Sequence, residues 1–151
     1  MTDNKDIVDA LNNLITTNYD RERGYKEAAG DVTDGRLKSW FNEYAQQSYD
    51  FGHEIKAEIK VLGGEPDKGT SLAADAHRVW IDLKSAIAGN DEAAVIDEAI
   101  RGEENAVSRY QDVLNEGSLP ATTRTVVARQ KGQIEAALSK MQQLKSTFAA
   151  A

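Results

Sequence analysis

The sequence predicts an all-α fold in which four long helices form two antiparallel hairpins. Apolar residues recur at three- and four-residue steps over most of the chain, which is the spacing of one helix face. No stretch alternates apolar and polar residues for long enough to indicate a strand. The chain has two prolines, and both lie at predicted helix boundaries, where they do not break a helix.

The first hairpin is predicted from helices over about residues 3–30 and 34–62. Asp34 suits the N-cap of the second helix because its side chain can accept a bond from a free backbone N–H. The pair Gly63–Gly64 is typical of a helix C-terminus. Only a few residues separate the two helices, so they are expected to pack antiparallel.

The second hairpin is predicted from helices over about residues 91–116 and 119–148. Pro120 falls in the first turn of the last helix, where proline is tolerated. The segment between the hairpins is long enough to run the length of a bundle and carries a shorter crossover helix at about 71–88. Two hairpins joined by one long crossover form the ferritin-like arrangement. Residues 1–151 are therefore predicted to form a single ferritin-like four-helix bundle domain.

Charge and composition exclude several classes of partner. The formal net charge is −7 and no basic block is present, so nucleic acid and anionic membranes are poor partners. The absence of cysteine excludes disulfides, thiolate nucleophiles and iron–sulfur clusters. The N-terminus lacks the pattern of a signal peptide, and no apolar run is long enough to span a bilayer. We therefore expect a cytoplasmic protein.

A weak internal repeat relates the first and second halves of the chain and pairs two polar residues near the middle of their helices. It aligns residues 23–29 with residues 108–114 and Asn18 with Glu103. Both Asn18 and Glu103 fall on the apolar stripe of their helices, which is unusual for polar side chains. A carboxylate in such a position is a metal ligand, a member of a hydrogen-bonded polar cluster, or a surface residue wrongly assigned to the stripe.

The leading interpretation is a buried polar layer, because buried polar groups are usually paired. Its predicted members are Asn18, Gln47, Glu103, Gln130 and Gln133. The alternative is a site for iron or manganese, although a di-metal bundle needs one carboxylate from each of two helices and a Glu-x-x-His pair from each of the others. The metal-ligand candidates are Glu103, Glu22, Asp50 and His53.

Surface roles compete with the metal interpretation at three of these positions. Glu22 can form a solvated ion pair with Arg21 or with other basic residues nearby, and such pairs contribute little to the stability of the fold. Asp50 and His53 are spaced to share one ion, but this pattern is also typical of an exposed polar helix face. No P-loop, HExxH motif, nucleophile elbow or dinucleotide fingerprint is present. No catalytic residue is assigned, and a non-enzymatic role is favoured.

Three stretches resemble a bacterial family of ferritin-like four-helix-bundle proteins of unknown function, distantly related to rubrerythrins and bacterioferritins. They are NYDRERGYKEAA, HRVWIDLKSAIAGND and RGEENAVSRYQDVL. The resemblance implies the ferritin-like fold and no established enzymatic activity. The larger group uses Glu and Glu-x-x-His ligands for iron storage or peroxide chemistry. Of that pattern Glu103 survives, whereas amides or an aspartate stand at the other expected positions.

The sequence therefore favours a non-enzymatic structural or interaction protein, stress-associated by its resemblance to ferritin-like proteins, with a degenerate metal site and no cofactor. A homo-oligomer or a protein partner is expected. The alternative is an iron- or manganese-binding ferritin-like protein that uses Glu103 and neighbouring carboxylates.

Overall fold

Four α-helices make up most of residues 4–67 and 92–149, the parts of the chain that the computed structural model describes. They are α1 (Asn4–Asp31), α2 (Gly35–Val61), α3 (Glu92–Leu114) and α4 (Ala121–Ala149). The predicted all-α, ferritin-like class is confirmed. The crossover helix predicted at about 71–88 lies outside the described residues, so it stays a prediction, as does the single domain over 1–151.

The helices pack as two hairpins set side by side. α1 lies against α2, and α3 lies against α4. The hairpins meet through contacts of α1 with α3 and of α2 with α4. Each helix thus has two neighbours, and the side chains that face the bundle axis come from all four helices.

The apolar core is divided into two clusters along the bundle axis. One contains Ile7, Leu11, Leu14, Ile15, Phe51, Ile55, Ile59, Ala106, Tyr110, Val113, Leu119, Val127 and Ile134. The other contains Tyr25, Ala28, Ala29, Val32, Leu37, Phe41, Ala45, Val95, Ile96, Ala99, Met141 and Leu144. In α1 the break between the clusters falls between Ile15 and Tyr25, and in α3 it falls between Ala99 and Ala106. The middle of the bundle is therefore left to polar side chains.

The helix boundaries follow from local capping chemistry. Asp34 has an extended backbone, and its carboxylate accepts a bond of 2.9 Å from the Leu37 N–H. Gly63 has φ of +79°, a left-handed conformation that glycine adopts without strain, and it closes the end of α2. α4 begins at Ala121 rather than at the predicted 119, and the Pro120 carbonyl accepts a bond of 2.9 Å from the Arg124 N–H.

Glu92 ties the start of α3 to the turn between α1 and α2. Its Oε1 atom accepts bonds from the Thr33 N–H at 2.9 Å, the Thr33 hydroxyl at 2.8 Å and the Asp34 N–H at 3.1 Å. Burial raises the pKa of Glu92, but the bonds from Thr33 and Asp34 outweigh it and leave the pKa below its ordinary value of 4.5. The carboxylate thus joins the two hairpins at one end of the bundle.

None of the helices in the described ranges combines the length and the apolar character needed to cross a bilayer.

Replacing Glu92 by Gln is expected to lower the free energy of unfolding at about pH 7 by about 1 kcal/mol, because charge-assisted bonds become neutral ones. Since the folded pKa is depressed, the contribution is present above the unfolded pKa and is lost as the pH falls through the folded value. Urea unfolding should therefore show that the difference in the free energy of unfolding between wild type and Glu92→Gln becomes smaller as the pH is lowered. Glu104→Gln, at an exposed position of the same helix, is the control. An equal loss in both variants would contradict this role of Glu92.

Candidate functional site

The polar middle of the bundle begins on α1, where two polar residues continue the apolar stripe. Asn18 and Arg21 stand between Leu14 and Tyr25 at three- and four-residue steps, so their side chains face the bundle axis. Both are about 1% exposed. A fully buried arginine must have partners for its charge and its N–H groups, and the opposite helix supplies the first of them.

Arg21 forms a two-pronged ion pair with Glu103 of α3. The Arg21 Nε donates to Glu103 Oε1 at 2.7 Å, and Nη2 donates to Oε2 at 3.0 Å. The side chains are 1% and 0% exposed. The planar guanidinium matches the planar carboxylate, which makes such pairs both strong and specific in geometry.

The remaining donors of Arg21 reach amide oxygens on two helices. Nη1 donates to Asn18 Oδ1 at 3.0 Å, and Nη2 also donates to Gln47 Oε1 of α2 at 2.8 Å. These neutral oxygens replace the water that the guanidinium loses on burial. One arginine thereby joins α1, α2 and α3.

Asn18 extends the network to α4 through Tyr110. Its Nδ2 donates to the Tyr110 hydroxyl at 2.7 Å and to the Leu14 carbonyl at 3.0 Å. The Tyr110 hydroxyl donates to Gln130 Oε1 at 2.6 Å, and Gln130 Nε2 donates to the Phe51 carbonyl at 3.3 Å. We call Asn18, Arg21, Gln47, Glu103, Tyr110 and Gln130 the central polar network.

Burial and the charges in this network together shift the pKa values of Arg21, Tyr25 and Tyr110. Burial lowers the pKa of Arg21, but the charge of Glu103 and the bond to it outweigh burial, so the pKa lies above its ordinary value. Burial, followed by the charge of Glu103, raises the pKa of Tyr25 against the opposing charge of Arg21. Burial likewise raises the pKa of Tyr110, against the bond from Asn18 and the charge of Arg21. Both tyrosines therefore stay neutral beside a paired cation and anion.

Residues that the internal repeat of the sequence equates have equivalent interactions in the structure, with one exception. The repeat equates Asn18 with Glu103 and Tyr25 with Tyr110. Asn18 bonds to Tyr110, and the charge of Glu103 acts on Tyr25, so the polar residue of each half interacts with the tyrosine of the other half. The same alignment places Ala106 opposite Arg21. The two halves of the chain therefore differ at this position of the central polar network: the first half has the Arg21 guanidinium, and the second half has an alanine.

The structure brings four of the five predicted polar-layer residues into hydrogen-bonded contact. Asn18, Gln47, Glu103 and Gln130 belong to the central polar network. Gln133 is exposed, so its assignment to the layer is incorrect. The buried stripe of α4 continues from Gln130 at 134, 137 and 141, which turns position 133 away from the axis.

The four metal-ligand candidates do not come together. Glu22 accepts a bond from Lys26 at 2.7 Å, and Asp50 accepts one from Gln46 at 3.0 Å on an exposed face. His53 is exposed, and its ring lies 4.5 Å from that of Tyr49. Both oxygens of Glu103 accept from Arg21.

The donor set does not fit the two-metal centre of ferritin-like bundles. Such a centre needs several carboxylates to balance its cations, whereas the central polar network offers Glu103 beside a guanidinium, a tyrosine and three amides. Over residues 4–67 and 92–149, no three His, Cys, Asp or Glu side chains form a group that could hold a metal ion. Arg21 occupies the coordination face of Glu103 that a cation would need.

Arg21 is the functional residue that the sequence interpretation missed, since it was treated as a surface partner of Glu22. A signal was present: positions 14, 18, 21, 25 and 28 follow the helical period without a gap. An arginine on that stripe, with a glutamate on the stripe of the equivalent helix, indicates a buried ion pair.

Two antiparallel hairpins with polar side chains from all four helices at the bundle centre place the chain in the ferritin-like class of four-helix bundles. The family described as Domain of unknown function (DUF2383) matches residues 6–116. The chain belongs to this family, which confirms the resemblance seen in the sequence. A comparison with curated proteins gives no match.

A solved structure with a similar fold is described as a dodecameric thioferritin, the bacterioferritin-related protein from Bacteroides fragilis. The TM-score is 0.87 at 20% sequence identity, and the match covers 99% of this chain and 89% of that chain. At this identity the similarity establishes the fold, and the chemistry of the centre has to be argued from the residues present here.

Arg21→Met is expected to lower the free energy of unfolding by about 3–5 kcal/mol, because it leaves the Glu103 charge buried without a partner. Glu103→Leu should cost a similar amount by stranding the guanidinium. The double variant should be more stable than either single one, since no charge remains. Urea unfolding of the four proteins measures this coupling.

Lys26→Met serves as the control for this double-mutant cycle, because it removes one partner of the solvent-exposed ion pair between Lys26 and Glu22. It should change the free energy of unfolding by less than about 1 kcal/mol. Additive effects of Arg21→Met and Glu103→Leu would show that the two side chains are not coupled.

Proposed function

We propose that this protein is a non-enzymatic ferritin-like bundle that acts as a structural or interaction unit, with a degenerate metal site closed by Arg21. The observation that carries the proposal is the two-pronged bond of Arg21 to Glu103 at the bundle centre. The guanidinium supplies the positive charge that metal ions supply in metal-loaded bundles of this class.

Charge balance supports this interpretation. The network contains one carboxylate and one guanidinium, and its other members are neutral. Glu54, which accepts a bond of 3.4 Å from Gln130 at the edge of the network, is itself paired with Arg129. A metal ion entering beside Arg21 would meet a like charge in a low-dielectric interior. Displacing Arg21 would separate a buried ion pair and leave the arginine without partners, which costs several kcal/mol.

We further propose that the protein acts in the bacterial cytoplasm as an assembly of its own copies. The similar solved structure is described as dodecameric, and the bundle shape is shared with it over nearly the whole chain. A closed, metal-independent core suits a subunit whose role is to present its outer surface to other copies or to a partner. A stress-associated role, suggested by the resemblance to ferritin-like proteins, belongs to the same proposal.

Binding of iron or manganese through Glu103 is the second candidate. The similar structure is described as a thioferritin and as bacterioferritin-related, which favours it. This function would require Arg21 to leave Glu103, because both carboxylate oxygens are already bonded.

Metal analysis of protein from cells grown with added iron and manganese separates the two candidates. We expect wild type and Glu103→Ala to hold equally little metal, with Glu104→Ala as the control at a neighbouring exposed carboxylate. Light scattering on the wild-type preparation should give a molar mass above that of one chain.

Metal in stoichiometric amount that is lost in Glu103→Ala and kept in Glu104→Ala would overturn the closed-site proposal in favour of metal binding. A monomer under all conditions would overturn the proposed self-assembly.

A further inference from the structure

A groove on the outer side of the α1–α2 hairpin is lined mainly by residues outside the central polar network, which contributes Asn18 to it. Its volume is about 170 Å³, and its lining includes Tyr19, Tyr49, Gly52, His53 and Lys56. For comparison, an engineered protein cavity of about 150 Å³ takes up benzene. The groove is therefore the size of one aromatic ring with a small substituent.

Gly52 lines this groove, and nothing within the described chain requires a glycine there. It lies inside α2, where glycine costs about 1 kcal/mol relative to alanine. Its φ is not in the left-handed region, and a Cβ built on it would meet no atom within 4 Å. The missing side chain serves neither backbone conformation nor internal packing, and its structural effect is to keep the groove open.

Aromatic side chains form one part of the lining. Tyr49 is 49% exposed, and its ring meets the ring of His53 at 63° with centroids 4.5 Å apart. Tyr19 is half-buried on the facing helix. Aromatic side chains favour stacked or edge-to-face contact with another ring, so the lining matches the shape and the polarity of an aromatic ligand.

The charges in the groove select the sign of the ligand. Glu22 also lines it, but its carboxylate is bonded to Lys26 at 2.7 Å. Lys56 forms no ion pair with any of the described residues. Within residues 4–67 and 92–149, Lys56 is thus a positive charge that no carboxylate neutralises, and an anion in the groove can meet it.

We propose that this groove binds a small aromatic carboxylate. The ring lies over Gly52 beside Tyr19 and Tyr49, and the carboxylate meets the Lys56 ammonium. The site is separate from the function proposed above, because it uses neither Arg21 nor Glu103. It assigns the outer face of α1 and α2 a ligand-binding role that the bundle centre does not have.

Benzoate is the test probe, titrated into the full chain by isothermal calorimetry or ligand-observed NMR. Acetate, which lacks the ring, and benzyl alcohol, which lacks the charge, are the matched probes. We expect saturable binding of benzoate, with both matched probes at least about tenfold weaker, a difference of about 1.4 kcal/mol. Added salt should weaken the binding of benzoate and not that of benzyl alcohol.

Two variants locate the site. Gly52→Leu places a side chain in the groove and should weaken benzoate binding by at least about tenfold. Gly132→Leu is the control, because a Cβ at Gly132 also meets nothing within 4 Å but lies outside the groove. Lys56→Gln should weaken binding and remove most of its salt dependence. Urea unfolding of the same variants confirms that they are folded.

Three results would overturn the proposal. These are the absence of saturable benzoate binding, equal binding by Gly52→Leu and Gly132→Leu, and benzyl alcohol binding as tightly as benzoate. If benzoate does not bind and Gly52→Leu instead reduces the molar mass of an assembly, the occupant of the groove is a second copy of the chain.

Discussion

The buried ion pair between Arg21 and Glu103 is the constraint on which the rest of the bundle depends. Removing two charges from water is costly, and the attraction between them offsets this cost only with close geometry and additional hydrogen bonds. Both conditions are met, with a two-pronged contact at 2.7 and 3.0 Å and amide oxygens on the remaining donors. Because Arg21, Gln47 and Glu103 stand on three different helices, α1, α2 and α3 all have to be positioned to satisfy this one pair.

The pair fixes the register of the helices in a way that the apolar clusters cannot. A slip of α1 along α3 by one turn, about 5.4 Å, would still place apolar side chains against apolar side chains in either cluster. The same slip would part Arg21 from Glu103 and Asn18 from Tyr110, leaving buried charges and polar atoms without partners. The polar middle thus makes one alignment much more stable than its neighbours.

Sequence patterns predicted the helices well because helix formation depends on local features. The period of the stripe, the Asp34 cap and the left-handed Gly63 each act within a few residues. The centre was predicted in part: the repeat identified Asn18 and Glu103, but Arg21 was assigned to the surface, where arginines usually lie. Its pairing depends on how α1 meets α3, which no local pattern contains. Gln133 was misplaced because the register of α4 was predictable only to about one turn.

An arginine at the centre of a four-helix bundle affects folding and function differently from a metal ion in the same place. It is covalently attached, so the charge balance of the core does not depend on metal supply, and it offers no open coordination position to a substrate. Under the proposed function, a bundle of this class that holds an arginine at its centre has no need to admit and release metal ions. Under the proposed function, binding to other molecules takes place at the outer faces, where side chains can vary without unbalancing the core. Gly52 is consistent with a core that stabilises the fold and outer faces that are free to vary. It weakens α2 at the surface, while the pair of Arg21 and Glu103 keeps the helices in register.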